Sequence, residues 1–430
     1  MNKETEALGR HILVEYYDCA KEILRDITLL EQELLTAAKI TGATVLNSIA
    51  HKFTPQGVSV AVIIAESHLT IHTWADHQYA SVDLYTCGNL CDPWKAFEHM
   101  STVLNTKNFS AMEMKRGIKH FLPKPDQEFD ENYQDSEMTR WYHDLDSYGY
   151  GVSVQTLGDC LFREQSQFQR VEVFKTKKYG NMLLLDGKIQ TTEGDEFIYH
   201  ELISHIPLLT MENAKRVLII GGGDGGTARE VMRHENLEEV VMVEIDQVVI
   251  DASKKFLPTI SCALDQHPKL QLLVDDGINY VKQSKDKSFD IILVDSTDPI
   301  GPGVTLFDDD FYKNCFRILT DNGVLITQSE SPTGAPNEFK DLYTKYYRVF
   351  GEDKVYCYKC PTPTYSTGLW TFSYCTKGNV HPFKNLNEEH VKQFLAKNKL
   401  QYYNADIHRA VFALPNYIKK MMNDLKPKAQ

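Results

Sequence analysis

The first 122 residues alternate between two hydrophobic patterns. Period-two or continuous apolar runs predict strands, and a period of 3.6 residues predicts helices. The predicted strands are His11–Tyr16, Val58–Ala65, His68–Trp74 and Ser110–Lys115, and the predicted helices are Ile23–Thr41 and Pro93–Asn105. We therefore expect an α+β, sandwich-like domain over residues 1–122. The polar stretch Pro123–Asn132, with two prolines, predicts a linker over residues 123–139.

Two blocks with different patterns follow the linker. Residues 140–192 contain short strand-like runs separated by turn pairs such as Asp186-Gly187, which indicates a small β domain. From residue 193 to 430, apolar runs alternate with helical stretches, as in a doubly wound, Rossmann-like α/β domain. The predicted strands of the two blocks are Gly149–Thr156, Cys160–Glu164, Gln169–Thr176 and Asn181–Leu185, then Arg216–Ile220, Glu239–Glu244, Leu270–Val274, Phe289–Val294 and Gly323–Gln328.

Charge narrows the class of ligand. Among 430 residues, Lys and Arg number 46 and Asp and Glu number 59, so the net charge is −13. No excess of basic residues is available to neutralise phosphates, so we expect no nucleic-acid partner and no anionic membrane surface. A cationic small molecule suits this charge better.

The location is predicted from what the sequence lacks. No apolar run approaches the roughly 18 residues of a membrane span, and the first residues lack the apolar core of a signal peptide. The nine cysteines are scattered and odd in number, which favours a reduced, cytoplasmic protein. Cys357 and Cys360 form one isolated CxxC pair, which we interpret as structural, and we predict no metal site.

A glycine-rich loop follows the predicted strand Arg216–Ile220. Gly221, Gly223 and Gly226 satisfy the GxGxxG spacing, and Glu244 ends the next strand, where an acid can bind ribose hydroxyls. Asp224 within the loop would repel a pyrophosphate and favours a cationic adenosyl ligand. An Asp that merely caps the helix, and a dinucleotide site, stay open as alternatives.

A second motif follows the predicted buried strand Phe289–Val294. Asp295 and Asp298 lie three residues apart on a loop stiffened by prolines and glycine, at the carboxyl edge where ligands bind in such sheets. Two acids in this position can hold an amine and remove its proton. A simple turn would explain the prolines but not both acids.

Together these motifs carry a resemblance. Residues 140 to 430 resemble the aminopropyltransferases, specifically spermidine synthase. The matching segments are Leu185–Glu201, Gly221–Gly226, Glu244–Asp246, Asp275–Gly277, Asp295–Pro302 and Pro363–Tyr365. The resemblance implies a small β domain before a methyltransferase-like domain, and a dimer or larger homo-oligomer.

The resemblance also implies roles for individual residues. Asp295 would be the general base on the attacking amine. Decarboxylated S-adenosylmethionine would be held by Gln169, Asp224, Glu244, Asp276 and His200, the last standing where some members carry Gln. The diamine, putrescine, would be bound by Tyr199, Asp298, Gln328 and Tyr365.

The amino-terminal block carries a second resemblance. Taken singly, Ser67, His72 and Cys87 have ordinary structural interpretations. Together with Ser59 and Glu66 they resemble the bacterial-type S-adenosylmethionine decarboxylase, a self-cleaving pyruvoyl enzyme, over about 110 residues. The resemblance implies cleavage between Glu66 and Ser67, which leaves a pyruvoyl group on residue 67 that forms a Schiff base with the substrate.

The same resemblance assigns the other residues of this block. Ser59 and His72 match the processing residues, and Cys87 matches the proton donor. Phe53 matches the aromatic side chain that stacks on adenine, and Trp74 lies in the motif around His72. Asp76 stands where most members carry a glutamate that contacts substrate, so an ornithine or arginine substrate stays open.

The two halves together predict a bifunctional enzyme. The first half would decarboxylate S-adenosylmethionine, and the second would transfer the aminopropyl group to putrescine, giving spermidine and methylthioadenosine. Two further alternatives stay open: the first half could be an inert dimerisation domain, or the second a methyltransferase. The loop Asp295–Pro302 and Tyr365 argue against a methyltransferase, which needs no diamine pocket.

Overall fold

The fold is described by a computed structural model covering residues 7–88, 91–118, 139–145, 149–265, 267–297 and 308–426. The chain forms two compact units, Met1–Tyr133 and Gln134–Gln430. The predicted linker, residues 123–139, lies outside the described residues except for Thr139. Among the described residues, no helix is long and apolar enough to cross a membrane.

The first unit contains one antiparallel sheet of six strands. The spatial order is β2-β3-β4-β5-β1-β6. Its strands are β1 (Ala7–Tyr17), β2 (Val45–Lys52), β3 (Val58–Ile64), β4 (Ser67–Trp74), β5 (Tyr79–Cys87) and β6 (Asn108–Ile118). The sequence pattern missed β2 and β5. In β5 buried and less buried positions alternate, but tyrosines stand at the less buried positions and obscure the period.

Helices cover one face of this sheet. They are α1 (Lys21–Leu24), α2 (Ile27–Ile40) and α3 (Pro93–Val103). The prediction of one helix over Ile23–Thr41 was wrong, because the Asp26 side chain accepts hydrogen bonds from the Thr28 and Leu29 amides and starts a new helix there. Within the described residues, no helix covers the opposite sheet face. We call it the open face, and it carries the exposed apolar side chains Ile49, Ile63, Trp74, Met112 and Met114.

The second unit begins with a five-stranded antiparallel sheet. Its strands are β7 (Thr139–Leu145), β8 (Gly151–Gln165), β9 (Arg170–Thr176), β10 (Asn181–Leu185) and β11 (Lys188–Thr192), in the order β11-β10-β9-β8-β7. Two predicted strands, Gly149–Thr156 and Cys160–Glu164, are one long strand. The pairing of this strand, β8, with β9 shifts register between Leu157 and Phe162. The turn-like residues in this irregular segment are the reason why the sequence predicted two strands.

A seven-stranded sheet forms the centre of the second unit. Its order is β14-β13-β12-β15-β16-β18-β17. The first five strands are parallel to one another, and β18 is antiparallel to both of its neighbours, β16 and β17. The strands are β12 (Arg216–Gly221), β13 (Glu239–Glu244), β14 (Leu270–Val274), β15 (Phe289–Asp295), β16 (Leu319–Gln328), β17 (Val355–Cys360) and β18 (Trp370–Thr376). The chain order reverses between β12 and β15, which opens a crevice at their carboxyl ends.

Helices cover both faces of this sheet. One core surrounds Leu202 and Ile206, and the other surrounds Phe339 and Tyr343, as expected for strands buried on both sides. The helices are α4 (Glu196–Thr210), α5 (Gly226–Val231), α6 (Gln247–Phe256), α7 (Pro258–Ser261), α8 (Gly277–Gln283), α9 (Asp309–Ile318), α10 (Pro336–Phe350), α11 (Glu388–Lys397), α12 (Ala405–Ala410) and α13 (Asn416–Asp424).

Candidate active sites

The glycine loop and Asp295 meet at the crevice between β12 and β15. Gly221 pairs with Asp295 in the parallel ladder and has a φ of 80°. A Cβ atom on Gly221 would come within 2.1 Å of the Asp295 carbonyl oxygen. Glycine is therefore required here, and it lets the two strand ends approach closely enough to form one site.

Asp224 is held at both carboxylate oxygens. Its Oδ1 accepts a hydrogen bond from the Gly226 amide at 2.8 Å, and its Oδ2 lies 3.3 Å from His200 Nε2. Burial opposes ionisation, but the attraction of His200 and these hydrogen bonds outweigh it and lower the pKa of Asp224. The residue thus contacts the helix start and also presents a negative charge to the crevice.

His200 bridges two carboxylates on the floor of the crevice. Its Nδ1 lies 2.5 Å from Glu196 Oε2, one helical turn earlier on α4. Burial disfavours the charged ring, but Asp224 and Glu196 outweigh it and raise the pKa of His200 well above its ordinary value. Glu196 also accepts two hydrogen bonds from Arg229, at 2.9 and 2.8 Å.

Asp295 has the environment of a base. Thr227 donates a hydrogen bond to its Oδ2 at 2.7 Å. Burial and the neighbouring charge of Asp224 raise the pKa of Asp295. A raised pKa makes a carboxylate a stronger proton acceptor. Tyr199, whose own pKa is raised well above 10 by burial and by Asp295, lies beside it and remains a neutral phenol.

The predicted adenosyl residues line one cavity with Asp224 and Asp295. Gln169, Glu244 and Asp276 all contribute to its wall. Burial raises the pKa of Glu244 to about 7. Gln169 donates a hydrogen bond to Asp246 at 3.1 Å, and Asp276 caps α8 through its Oδ1.

A second cavity adjoins the first. Tyr199 and Tyr365 line both cavities, whereas Gln328 lines only the second. Gln328 is nearly fully buried and accepts a hydrogen bond from Trp370 Nε1 at 3.2 Å. Asp298, predicted to support the diamine, lies outside the described residues.

In the first unit, Ser59 and His72 form one cluster. They are opposite each other on β3 and β4, and Ser59 Oγ lies 2.7 Å from His72 Nδ1. Both belong to the open face of the sheet, opposite α1, α2 and α3.

A second cluster surrounds the predicted cleavage bond at the turn between β3 and β4. Ser67 has a φ of 143°, which is a strained value for a residue with a side chain. The Cys87 amide donates a hydrogen bond to the Glu66 carbonyl oxygen at 2.7 Å. The bond between Glu66 and Ser67 therefore combines backbone strain with a polarised carbonyl.

The two clusters lie apart within one chain. Ser67 begins β4 and His72 lies five residues further along it, which corresponds to about 17 Å at ~3.3 Å per residue. The structure therefore brings Ser59 to His72 and Cys87 to the Glu66–Ser67 bond, but it does not bring the two clusters together.

The residues predicted to contact the decarboxylase substrate are surface-exposed. Phe53 and Trp74 are about half exposed, at 49% and 45%. Asp76 forms an ion pair with Arg25 at 3.0 Å. This carboxylate has a cationic partner within the chain, which the motif did not indicate.

Comparison with known proteins shows the family. Family models match as the Spermine/spermidine synthase domain at residues 196–385, the Spermidine synthase tetramerisation domain at 140–193 and S-adenosylmethionine decarboxylase at 10–117. A polyamine aminopropyltransferase of Clostridioides difficile is 45% identical over 289 residues, 67% of this chain and 100% of that protein. The chain belongs to the polyamine aminopropyltransferase family.

Further members of the aminopropyltransferase family are similar to this chain in sequence and in structure. The enzyme of Methanocaldococcus jannaschii is 42% identical, over 65% of this chain and 94% of its own length. A spermidine synthase crystallised with the transition state analogue AdoDATO has a TM-score of 0.63 and 36% identity, covering 68% of this chain and 98% of that one. The Thermotoga maritima spermidine synthase has the same TM-score and coverage, at 35% identity.

Several residues at the aminopropyltransferase site were missed by the sequence reasoning. Glu196 precedes His200 by four residues on one helix, a spacing that predicts contact. Thr227 follows the glycine loop directly, but nothing in its position reveals the hydrogen bond to Asp295. Arg229 and Trp370 are brought in by the fold from distant parts of the sequence.

The same site contains a spacing that could suit a metal ion. Within the described ranges, one group of side chains has potential metal-ligand atoms that all lie within 4.8 Å of one another: His200, Asp224 and Asp295. We assign no metal to it, because each side chain is already engaged: His200 by two carboxylates, Asp224 by the Gly226 amide and Asp295 by Thr227.

Proposed function

We propose that the chain carries out two consecutive reactions of spermidine synthesis. The first unit decarboxylates S-adenosylmethionine, and the second transfers the resulting aminopropyl group to putrescine, releasing methylthioadenosine. The observation that carries the transfer reaction is the placement of Asp224 and Asp295 on one cavity, with an acidic site for each of two cationic reactants.

In the transfer reaction, Asp224 binds the ammonium group of the aminopropyl chain and Glu244 binds the ribose. Gln169 and Asp276 complete the adenosyl cavity. The diamine enters through the adjoining cavity, where Tyr199, Gln328 and Tyr365 orient it, and Asp298 supports its charge. This arrangement points the attacking nitrogen at the carbon next to the sulfonium, and such alignment is itself a large part of catalysis.

Asp295 removes the proton from the attacking amine. An amine of pKa near 10.4 must lose a proton before it attacks, which costs roughly 4.6 kcal/mol at pH 7. The Asp295 carboxylate accepts that proton and becomes the carboxylic acid. The neutral amine then forms the C–N bond as the C–S bond breaks, which releases neutral methylthioadenosine. The sulfonium is already a good leaving group, so the substrate itself provides the driving charge.

In the first unit, Ser67 generates the pyruvoyl group. Its Oγ attacks the Glu66 carbonyl carbon, the peptide C–N bond breaks, and an ester and a free amine result. Elimination across the Cα–Cβ bond of Ser67 then releases the Glu66 carboxylate, and water hydrolyses the product to ammonia and a pyruvoyl group. The φ of Ser67 and the hydrogen bond from Cys87 to the Glu66 carbonyl support this chemistry.

The pyruvoyl group acts as an electron sink for the loss of CO₂ from the substrate. Cys87 returns a proton to the substrate carbon, while Phe53 and Trp74 provide aromatic surface for the adenine. Asp76 faces Arg25, and we assign it to the polar part of the substrate.

A second copy of the chain completes the decarboxylase site. The open sheet face carries both Ser59 and His72 and a set of exposed apolar side chains that a monomer would leave in water. We propose that the His72 of a second copy seated on this face acts at the Glu66–Ser67 bond of the first, beside Cys87. We therefore propose a homo-oligomer, dimeric or larger.

We also propose domain limits and a location. Residues 1–122 form the decarboxylase domain, 123–139 the linker, 140–192 the small β domain and 193–430 the catalytic transferase domain. All nine cysteines are free, which supports a reducing, cytoplasmic setting.

The test is a direct assay of both half-reactions with the full chain. CO₂ release would be measured from carboxyl-labelled S-adenosylmethionine, ornithine and arginine, and spermidine formation from supplied decarboxylated S-adenosylmethionine and putrescine. We expect release from S-adenosylmethionine alone, a cleaved chain and spermidine. Release from ornithine or arginine would overturn the first assignment, and an absence of spermidine would overturn the second.

A further inference from the structure

His200 contacts a carboxylate with each of its ring nitrogens. Nδ1 faces Glu196 at 2.5 Å and Nε2 faces Asp224 at 3.3 Å. An ionised carboxylate only accepts hydrogen bonds, so both nitrogens carry a proton when both acids are ionised. His200 packs closely on the glycine loop, since a Cβ atom on Gly226 would lie only 2.2 Å from Nδ1.

The two acids differ in their other partners. Glu196 has a second cation, since Arg229 holds it through two hydrogen bonds. Asp224 has no such partner: within the described residues, His200 is the cationic side chain at ion-pair distance from it. The charged or titratable groups facing His200 are Glu196 and Tyr199 from α4, Asp224 from the loop, Arg229 from α5 and Asp295 from β15.

We propose that His200 is a proton-releasing placeholder: its imidazolium neutralises Asp224 in the free enzyme and loses one proton to solvent when the ammonium group of decarboxylated S-adenosylmethionine binds that carboxylate. This inference rests on the proposed transferase function. The proton leaves Nε2, the Nδ1–H remains on Glu196, and the neutral Nε2 becomes an acceptor for an ammonium N–H. At Asp224 the ammonium charge replaces the imidazolium charge, so this carboxylate keeps one cationic partner in the free and in the bound enzyme.

Release of a proton makes binding depend on pH. If one proton leaves per ligand bound, affinity rises about tenfold per pH unit while His200 is protonated in the free enzyme. The acids around His200 raise its pKa, so this dependence lies at higher pH than for an ordinary histidine. Glu244, with a pKa of about 7, also titrates in the free enzyme, so the measurement belongs at pH 8, where Glu244 is mostly ionised.

Calorimetric titration of the full chain in two buffers of different ionisation enthalpy counts the released protons. Methylthioadenosine is the matched ligand, because it fills the nucleoside cavity but has no ammonium group. We expect roughly one proton for decarboxylated S-adenosylmethionine and close to none for methylthioadenosine. His200→Gln should lose the release, while Asp295→Asn should retain it.

The possible outcomes distinguish a failure of this inference from a failure of the proposed transferase function. If decarboxylated S-adenosylmethionine does not bind, the transferase proposal fails. If it binds with the same proton count as methylthioadenosine, the placeholder role is wrong. If proton release survives in His200→Gln but disappears in Asp295→Asn, the proton comes from Asp295. That result would also overturn the placeholder role of His200. Methylthioadenosine binding to each variant verifies that the variant is folded.

Discussion

Thr227 donates its hydroxyl hydrogen to Asp295 Oδ2 at 2.7 Å, from the first turn of the helix that follows the glycine loop. A hydrogen bond of this kind stabilises the ionised carboxylate and offsets part of the rise in the Asp295 pKa caused by burial and by Asp224. We therefore infer that Thr227 is a positioning residue that favours the ionised form of Asp295, the proposed base.

Replacing Thr227 should move the pH profile of aminopropyl transfer. Thr227→Val keeps the shape but removes the donor that favours the ionised carboxylate, so the pKa of Asp295 should rise further. Since the base must be ionised, the acid limb of kcat/KM would shift to higher pH. Thr227→Ser, which retains the hydroxyl, is the control and should stay near the wild-type profile. An unmoved acid limb in Thr227→Val would exclude this role.

Substitution of the two catalytic centres should separate the two activities. Asp295→Asn should lower spermidine formation by about 10²–10⁴-fold and leave self-cleavage and CO₂ release intact. Ser67→Ala should block cleavage and decarboxylation but transfer normally from supplied decarboxylated S-adenosylmethionine. Near wild-type transfer by Asp295→Asn would show that the base is misassigned.

Glu244 should make nucleoside binding weaken in acid. Its pKa of about 7 is raised by burial, so below pH 7 the free enzyme carries it mostly protonated. Ribose hydroxyls donate best to a carboxylate, so the Kd of methylthioadenosine should rise as pH falls through 7, approaching tenfold per unit. Glu244→Gln should bind more weakly and lose this dependence. A pH-independent Kd for the wild-type chain would contradict the assignment.

The proximity of Asp224 and Asp295 was predictable because both residues follow a rule of topology. Asp224 and Asp295 each come directly after a buried parallel strand, and carboxyl ends of neighbouring strands meet at one edge of the sheet. The link between Glu196 and His200 was visible in its four-residue spacing. Arg229 was not, since its contact with Glu196 spans 33 positions and depends on how α4 packs on α5.

The first unit shows a different limit. The motif identified Ser59, Ser67, His72 and Cys87, but a motif contains no distances. Only the register of β3 against β4 reveals that Ser59 faces His72 while Ser67 pairs with the far end of β3. Likewise the apolar period alone favoured one continuous helix through Asp26. The structure has two helices there because the Asp26 side chain caps α2.

The separation of Ser67 from His72 predicts processing between chains. A chain with His72→Ala still has Ser67 and the Glu66–Ser67 peptide bond. If a second copy supplies His72, this chain should be cut when a Ser67→Ala chain provides the histidine. Each variant expressed alone should stay uncut. Co-expression with distinguishable tags should therefore yield cleavage of the His72→Ala chain only, seen as fragments on a denaturing gel. Mixed oligomers recovered through both tags should contain that cut chain.

Cleavage of His72→Ala by itself would show that the histidine is not needed. Mixed oligomers that remain uncut would mean that each chain uses its own His72, which requires β4 to rearrange across the distance that now separates the two residues.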